Sequence, residues 1–294
     1  MSCCDLHVNA KRRPDPSRTV GIQKRFEADA YKRFKRLKGL INKAIVEGDG
    51  FGLTGSALSR LMINSGEFEF TRTDQKVSAF MRWLRSEVEA GVLGVSSGQE
   101  IASAGNDAWT STYISSAYTQ GVAKSASLLR KGGANVQDSW IQGAFRREIH
   151  ADRAALAYTR TFNELEGITR AMDQQISREL ALGLAEGQSP FEIARRINNR
   201  VDKVGVTRAR MLARTEVISA HADATLNSFE EAGIEGVDVE AEWLTAFGAC
   251  PICENLSSQG PYKLSEARGM IPAHPNCRCS WSPIVVNGTG ITLV

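Results

Sequence analysis

The chain has 294 residues, 42% hydrophobic and 23% charged, with a formal net charge of +3. This is the make-up of a water-soluble globular protein with room for one large or two ordinary domains. No apolar run approaches the roughly 20 residues that span a bilayer, and no apolar h-region marks a secretory leader, so neither a membrane role nor export is expected.

The net charge hides an asymmetry. Residues 11–43 carry twelve Lys or Arg against Asp15, Glu27 and Asp29, an excess of nine positive charges, which leaves −6 for the rest of the chain. Such separation points to an anionic partner for the N-terminal arm. The thiols of a protein made in the cytoplasm stay reduced, so its cysteines suggest metal binding or catalysis before disulfides. Cys3 and Cys4 read as two unpaired surface thiols in the arm.

KRRPDPSR, with two prolines, is too broken to be helical. From about Thr19 a long helix is expected, because Ile22, Phe26, Ala30, Phe34, Leu37, Ile41 and Ile45 recur every three or four residues. Lys24, Arg25, Lys32, Arg33, Lys35, Arg36 and Lys38 fill its other faces. These seven are the candidate contacts to DNA or to an acidic partner surface; the plain alternative is a solvated helix kept soluble by its lysines. The helix should end near GDGFG at 48–52.

A second helix is expected from Asp74, with Val77, Phe80, Met81, Leu84 and Val88 on one face. A third should run through residues 100–130 and break at Gly132-Gly133. Residues 148–186 read as one or two helices, interrupted around Gly167 and ended near Gly187. SPFE at 189–192 has the form of a capping box: Ser189 as cap, Pro190 at the first helical position, Glu192 reaching back. The next helix should span Thr207 to Ala232, stopped by Gly233. Beyond it the period falls to two, and VDVEAEW (237–243) and RCSWSPIVV (278–286) read as strands.

Four of the six cysteines and one of the four histidines lie between Cys250 and Cys279. Cys250-x-x-Cys253 lets two thiolates on one tight turn reach a common ion, and His274-x-x-Cys277 offers a second pair. Structural zinc is tetrahedral, with Cys and His ligands. Four of Cys250, Cys253, His274, Cys277 and Cys279 would suffice; the first four are favoured, and Cys279 could replace one of them. Such sites contribute roughly 10–16 kcal/mol of apparent binding energy, coupled to folding. The intervening SSQGPYKLSEARG is polar and glycine-rich, a poor source of its own core.

A zinc deaminase would use His-x-Glu before Pro-Cys-x-x-Cys. Here the acid of His221-Ala222-Asp223 is Asp, Ala249 precedes the first Cys, and His221 falls mid-helix. No His-Glu-x-x-His and no phosphate loop occur. Arg214 and Glu216 of ARTE lie inside a helix, where a structural ion pair is the ordinary role.

Taken in order, GLAEGQSPFEIARRI, MLARTEVISAHA, AEWLTA, CPIC and HPNCRC over residues 150–284 resemble the Mu F-like minor head proteins of tailed bacteriophages. The resemblance implies a non-enzymatic virion protein of head morphogenesis, present in several copies inside the head near the portal. Its implied partners are the portal or the major capsid protein, and the metal is expected to be structural zinc. The rival reading is a zinc-dependent enzyme acting on nucleic acid and packaged or delivered with the genome. The expected fold is mainly α: long helices forming a stalk or bundle, with a small C-terminal α+β metal-clipped unit. The expected division is a basic arm and amphipathic helix (1–50), a helical region of unassigned role (51–147) and a Mu F-like domain (148–294).

Overall fold

A computed structural model describes residues 15–54, 68–94, 108–287 and 292–293. Cys3, Cys4, the first part of the KRRPDPSR lead-in and the start of the helix expected through 100–130 lie outside the described residues. The fold is mainly helical, with small sheets towards the C-terminus. Among the described residues no helix is long and apolar enough to cross a membrane. The chain divides into two compact units, one from residues 15–26, 110–161 and 211–293 and the other from residues 27–109 and 162–210.

Helix α1 spans Val20–Asn42 and ends in a wider π turn, Lys43–Glu47. Its predicted stripe from Ile22 to Ile45 is buried throughout. In the second unit, α2 (Thr73–Val88) buries Phe80, Met81, Leu84 and Val88. Phe80 joins Phe51, Phe68 and Trp83 in an aromatic nest with ring centroids 5.3–5.7 Å apart. The capping box forms as the sequence indicates: Ser189 Oγ accepts from the Glu192 amide, and the Ser189 amide donates to Glu192 Oε2 at 3.1 Å, opening α6 (Pro190–Arg200). At the π turn Val201–Val206, a Cβ on Gly205 would sit 2.6 Å from the Phe34 ring, so only glycine permits that approach.

In the first unit, α3 (Ser111–Lys131) leads into the two-residue β1 (Asn135–Val136) and the short α4 (Asp138–Gly143). Helix α5 runs without interruption over Glu148–Ala185, which corrects the expected break at Gly167. A Cβ there would meet nothing within 4 Å, and Leu165, Ile168 and Met172 are buried around it. Packing of that apolar face outweighs the glycine penalty of about 1 kcal/mol.

Helix α7 covers Thr207–Ile234, passing Gly233; the left-handed stop is Gly236, with φ 101°. Gly233 stays helical because nothing in a helix forbids glycine, whereas Gly236 takes a backbone shape that other residues resist. Helices α3 and α7 cross closely: a Cβ on Gly121 would lie 2.6 Å from the His221 carbonyl oxygen and 2.7 Å from Ala224 Cβ.

Strand β2 (Asp238–Leu244) then pairs antiparallel with β3 (Ser280–Asn287), with Trp243 opposite Trp281. The two buried indoles meet edge to face at 5.3 Å, and Tyr262 stands edge-on to Trp281 at 5.9 Å. Between these strands lie α8 (Pro251–Gln259) and α9 (Leu264–Ala267). Strand β4 (Thr292–Leu293) pairs parallel with β1.

Candidate metal centre

The spacing suggested a tight turn for Cys250-x-x-Cys253. The structure instead puts the pair on the first turn of α8, with Cys250 as the N-cap residue, Pro251 at the first helical position and Cys253 at the third. Proline suits that place because it lacks the N–H that a first turn leaves unpaired. The amide dipoles at this end favour negative sulfur. The segment read as a poor source of core contributes the buried Ala267, Ile271 just beyond it is also buried, and Tyr262 exchanges both backbone hydrogen bonds with Ala241 of β2 at 2.8 Å.

His274 closes the approach from the other side. Its Nε2 lies 3.3 Å from Cys250 Sγ and 3.2 Å from Cys253 Sγ, while its Nδ1 lies 2.8 Å from the Pro275 carbonyl oxygen. A carbonyl can only accept, so Nδ1 carries the proton, and in the neutral ring the Nε2 lone pair is left facing the two sulfurs. That is the tautomer a metal ligand needs, fixed by an outer hydrogen bond. Cys277 Sγ stands 4.0 Å from Cys253 Sγ. The donor atoms form two groups, Cys250–Cys253–His274 and Cys253–Cys277–Cys279, each within 4.8 Å, that share Cys253.

Within each group of three the donors come near the spacing of a tetrahedral ion, although no four of the five lie within 4.8 Å of one another. Metal–sulfur bonds of about 2.3 Å and metal–nitrogen bonds of about 2.0–2.1 Å set edges of roughly 3.8 Å between sulfurs and 3.6 Å between sulfur and nitrogen. The observed sulfur–sulfur 4.0 Å is slightly longer, and the sulfur–nitrogen 3.2–3.3 Å slightly shorter, than those lengths. All four cysteines are buried and reduced. Proton sharing divides the thiols. Hydrogen bonds from Cys253 and then Cys279 hold Cys277 far below the usual thiol range. The bond to Cys277, then that to Cys279, then burial push Cys253 up. For Cys279 the bond to Cys253 pulls down, while the bond to Cys277 and burial push it up to about 11. Cys277 is thus the thiol whose ionisation the neighbours favour, and a bound cation would favour ionisation of the others as well. The cluster could hold a metal ion.

The ARTE stretch of α7 serves this site. Arg214 Nη1 donates to Asn276 Oδ1 at 2.8 Å, and Asn276 takes a left-handed backbone, φ 64°, inside HPNC. Asparagine tolerates that shape, which turns the chain so that the Cys277 amide bonds to the His274 carbonyl at 3.1 Å. Glu216 pairs with Arg160 of α5 at 2.9 Å. Arg214 and Glu216 are therefore structural, each with a partner distant in sequence.

Residues 174–282 match the family model described as Phage Mu protein F like protein. The chain carries a Mu F-like region. It takes in the capping box, the ARTE helix and all five candidate donors. Comparison with curated proteins and with solved structures finds no match.

Of the seven basic side chains singled out on α1, Arg33 donates to the Gly91 carbonyl and lies over the Trp109 ring, 4.3 Å from its centroid. Lys38 pairs with Asp202 at 2.6 Å. Lys24, Arg25, Lys32, Lys35 and Arg36 are exposed, Lys32 lying 3.5 Å from Asp29. At 100° per residue these five fall within an arc of about 120°, opposite the buried stripe.

Sequence reasoning missed a buried polar chain in the first unit. Asn227 donates to the Tyr118 hydroxyl at 2.7 Å, that hydroxyl meets His150 Nδ1 at 3.0 Å, and His150 Nε2 meets Glu231 at 3.1 Å. Arg268, from the loop between the two candidate donor motifs, donates to Asn227 at 2.9 Å and pairs with Glu230. The chain so ties that loop to α7. Its bonded pairs are 32–109 positions apart, and no local pattern announces them.

Proposed function

We propose that this is a non-enzymatic minor head protein of a tailed phage, acting in head morphogenesis inside the virion near the portal. The match of residues 174–282 to the Mu F-like family, with the five-donor cluster inside it, carries that reading. Zinc, held by Cys250, Cys253, His274 and Cys277, would staple the loops between β2 and β3 into a docking knob for the portal or inner capsid. Thiolate-rich tetrahedral sites suit zinc, and four protein ligands leave no position open for a reacting water. His221 and Asp223, the pair a zinc enzyme on nucleic acid would need, support the structural reading. His221 is fully buried with neither ring nitrogen hydrogen-bonded, and Asp223 lies 3.9 Å from Arg160.

The five exposed cations of α1 would meet packaged double-stranded DNA. Neutralising about five phosphates gives a salt slope near −4.5, so binding should fall roughly 500-fold between about 50 and 200 mM salt. DNA retention that does not change over that range removes DNA from the proposal and leaves docking to protein.

Elemental analysis of protein purified under reducing, chelator-free conditions tests the staple. About one zinc per chain, lost with the fold of the β2–β3 loops on ligand replacement, supports it. Metal-free protein with those loops intact refutes it. Gentle disruption of virions, followed by detection of the protein with the portal fraction, tests the location.

A further inference from the structure

Away from the cysteines, α3 borders a second built feature. A partly open cavity of about 530 Å³ lies in the first unit, with Arg18, Lys124 and Lys131 on its wall, Asp15 beside them, and Leu128 and Leu244 as apolar lining. Three cations face one carboxylate, and that carboxylate is already spent. Asp15 Oδ1 accepts from the Ser17 amide at 3.0 Å and from its hydroxyl at 2.6 Å, while Oδ2 accepts from the Val20 amide at 3.1 Å.

Lys124 is the unusual member. Its ammonium has three N–H donors, and among the described residues its one polar partner is the Ser280 hydroxyl. Among the described residues no carboxylate lies within ion-pair distance of it, although the charge of Asp15 reaches it. A largely buried ammonium with donors to spare is costly unless an acceptor arrives. Burial lowers this amine to about 8, against the opposing pull of Asp15 and with a further push from Arg18; it also lies near enough to the neutral His221 to depress that ring. The Arg18 backbone is fixed in a left-handed shape, φ 56°, by Gln120, which donates to the Arg18 carbonyl at 2.8 Å. The wall is therefore held in place before anything binds.

We infer that this cavity is an oxyanion site, taking a phosphate or carboxylate group between Lys124, Arg18 and Lys131, with any attached apolar body against Leu128 and Leu244. An oxyanion would accept the unused Lys124 hydrogens and offset the like charges around them. The inference does not rest on a bound metal or on the head-protein reading.

Titration calorimetry with inorganic phosphate and, separately, with acetate tests it on the full chain, with chloride at equal ionic strength as control. Binding of phosphate or acetate should weaken at least about tenfold in both Lys124→Met and Arg18→Gln. Methionine keeps the apolar stem of lysine, and Arg18 is exposed, so both variants should fold. Binding of phosphate alone names the ligand as phosphate; binding of both names the shared oxyanion chemistry. In the unaltered protein, the same anion should slow acylation of Lys124 by an amine-reactive ester at least about tenfold at pH 7.5, because it holds the amine protonated. No heat and no protection with either anion at about 10 mM, or binding undiminished in the variants, overturns the inference.

Discussion

Replacing His221 with leucine should make the protein more acid-resistant, and the gain can be worked out in advance. His221 lies fully buried on α7 with both ring nitrogens unpartnered. Burial, and secondarily the charge of Lys124, lowers it from 6.5 to about 3. Between those values the unfolded chain binds a proton that the folded chain refuses, so stability is lost as pH falls. At pH 5, about 1.5 units below the unfolded value, the loss is about 2 kcal/mol; at pH 7.5 it is negligible. His221→Leu removes this term, and it also removes two buried polar atoms without partners, each costing about 1–3 kcal/mol. The variant should match or exceed the parent at pH 7.5 and exceed it by about 2 kcal/mol more at pH 5. Urea unfolding of both proteins at the two pH values, followed by near-UV circular dichroism of the buried indoles, measures the difference. Loss of metal at low pH is common to both and cancels. An equal difference at the two pH values, within about 0.5 kcal/mol, would show that the folded protein accepts the proton, and the neutral buried imidazole would be wrong.

Cys253→Ser should lose metal more completely than any other single replacement, because Cys253 belongs to both donor groups, whereas Cys279→Ser should retain it; zinc per chain after gel filtration decides. Ser189→Ala removes the cap of α6 and should cost about 1 kcal/mol in chemical denaturation, since the cap is exposed and water compensates in part. Gly121→Val drives a side chain into the α7 backbone and should cost about 3 kcal/mol or prevent soluble expression, read as the shift in the thermal midpoint.

How much of this was legible in the sequence varies with the distance over which each interaction acts. The α1 stripe, the SPFE cap and the two strands depend on neighbours within a turn or a pleat, and they read directly from Ile22 to Ile45, from Ser189 and Glu192, and from VDVEAEW. Continuity of α5 through Gly167 did not, because it is settled by packing around Leu165 and Met172 and not by glycine's own preference. The donors were legible as residue types. Their grouping around Cys253 was not, because it depends on where α8 begins and how Asn276 turns the chain. Lys124 gave no sign at all: an ordinary helical lysine becomes a buried one through Ser280, 156 positions later.

The five donors around Cys253 bear on how such a site can change over generations. A tetrahedral ion needs four ligands, so a lineage that loses Cys279 or exchanges its place with Cys277 still closes the tetrahedron. If the cluster holds such an ion, the ligand set could drift through stable intermediates without any ancestor forfeiting it. Cys253, common to both groups, has no such freedom, and relatives should differ at the periphery of the cluster well before they differ there.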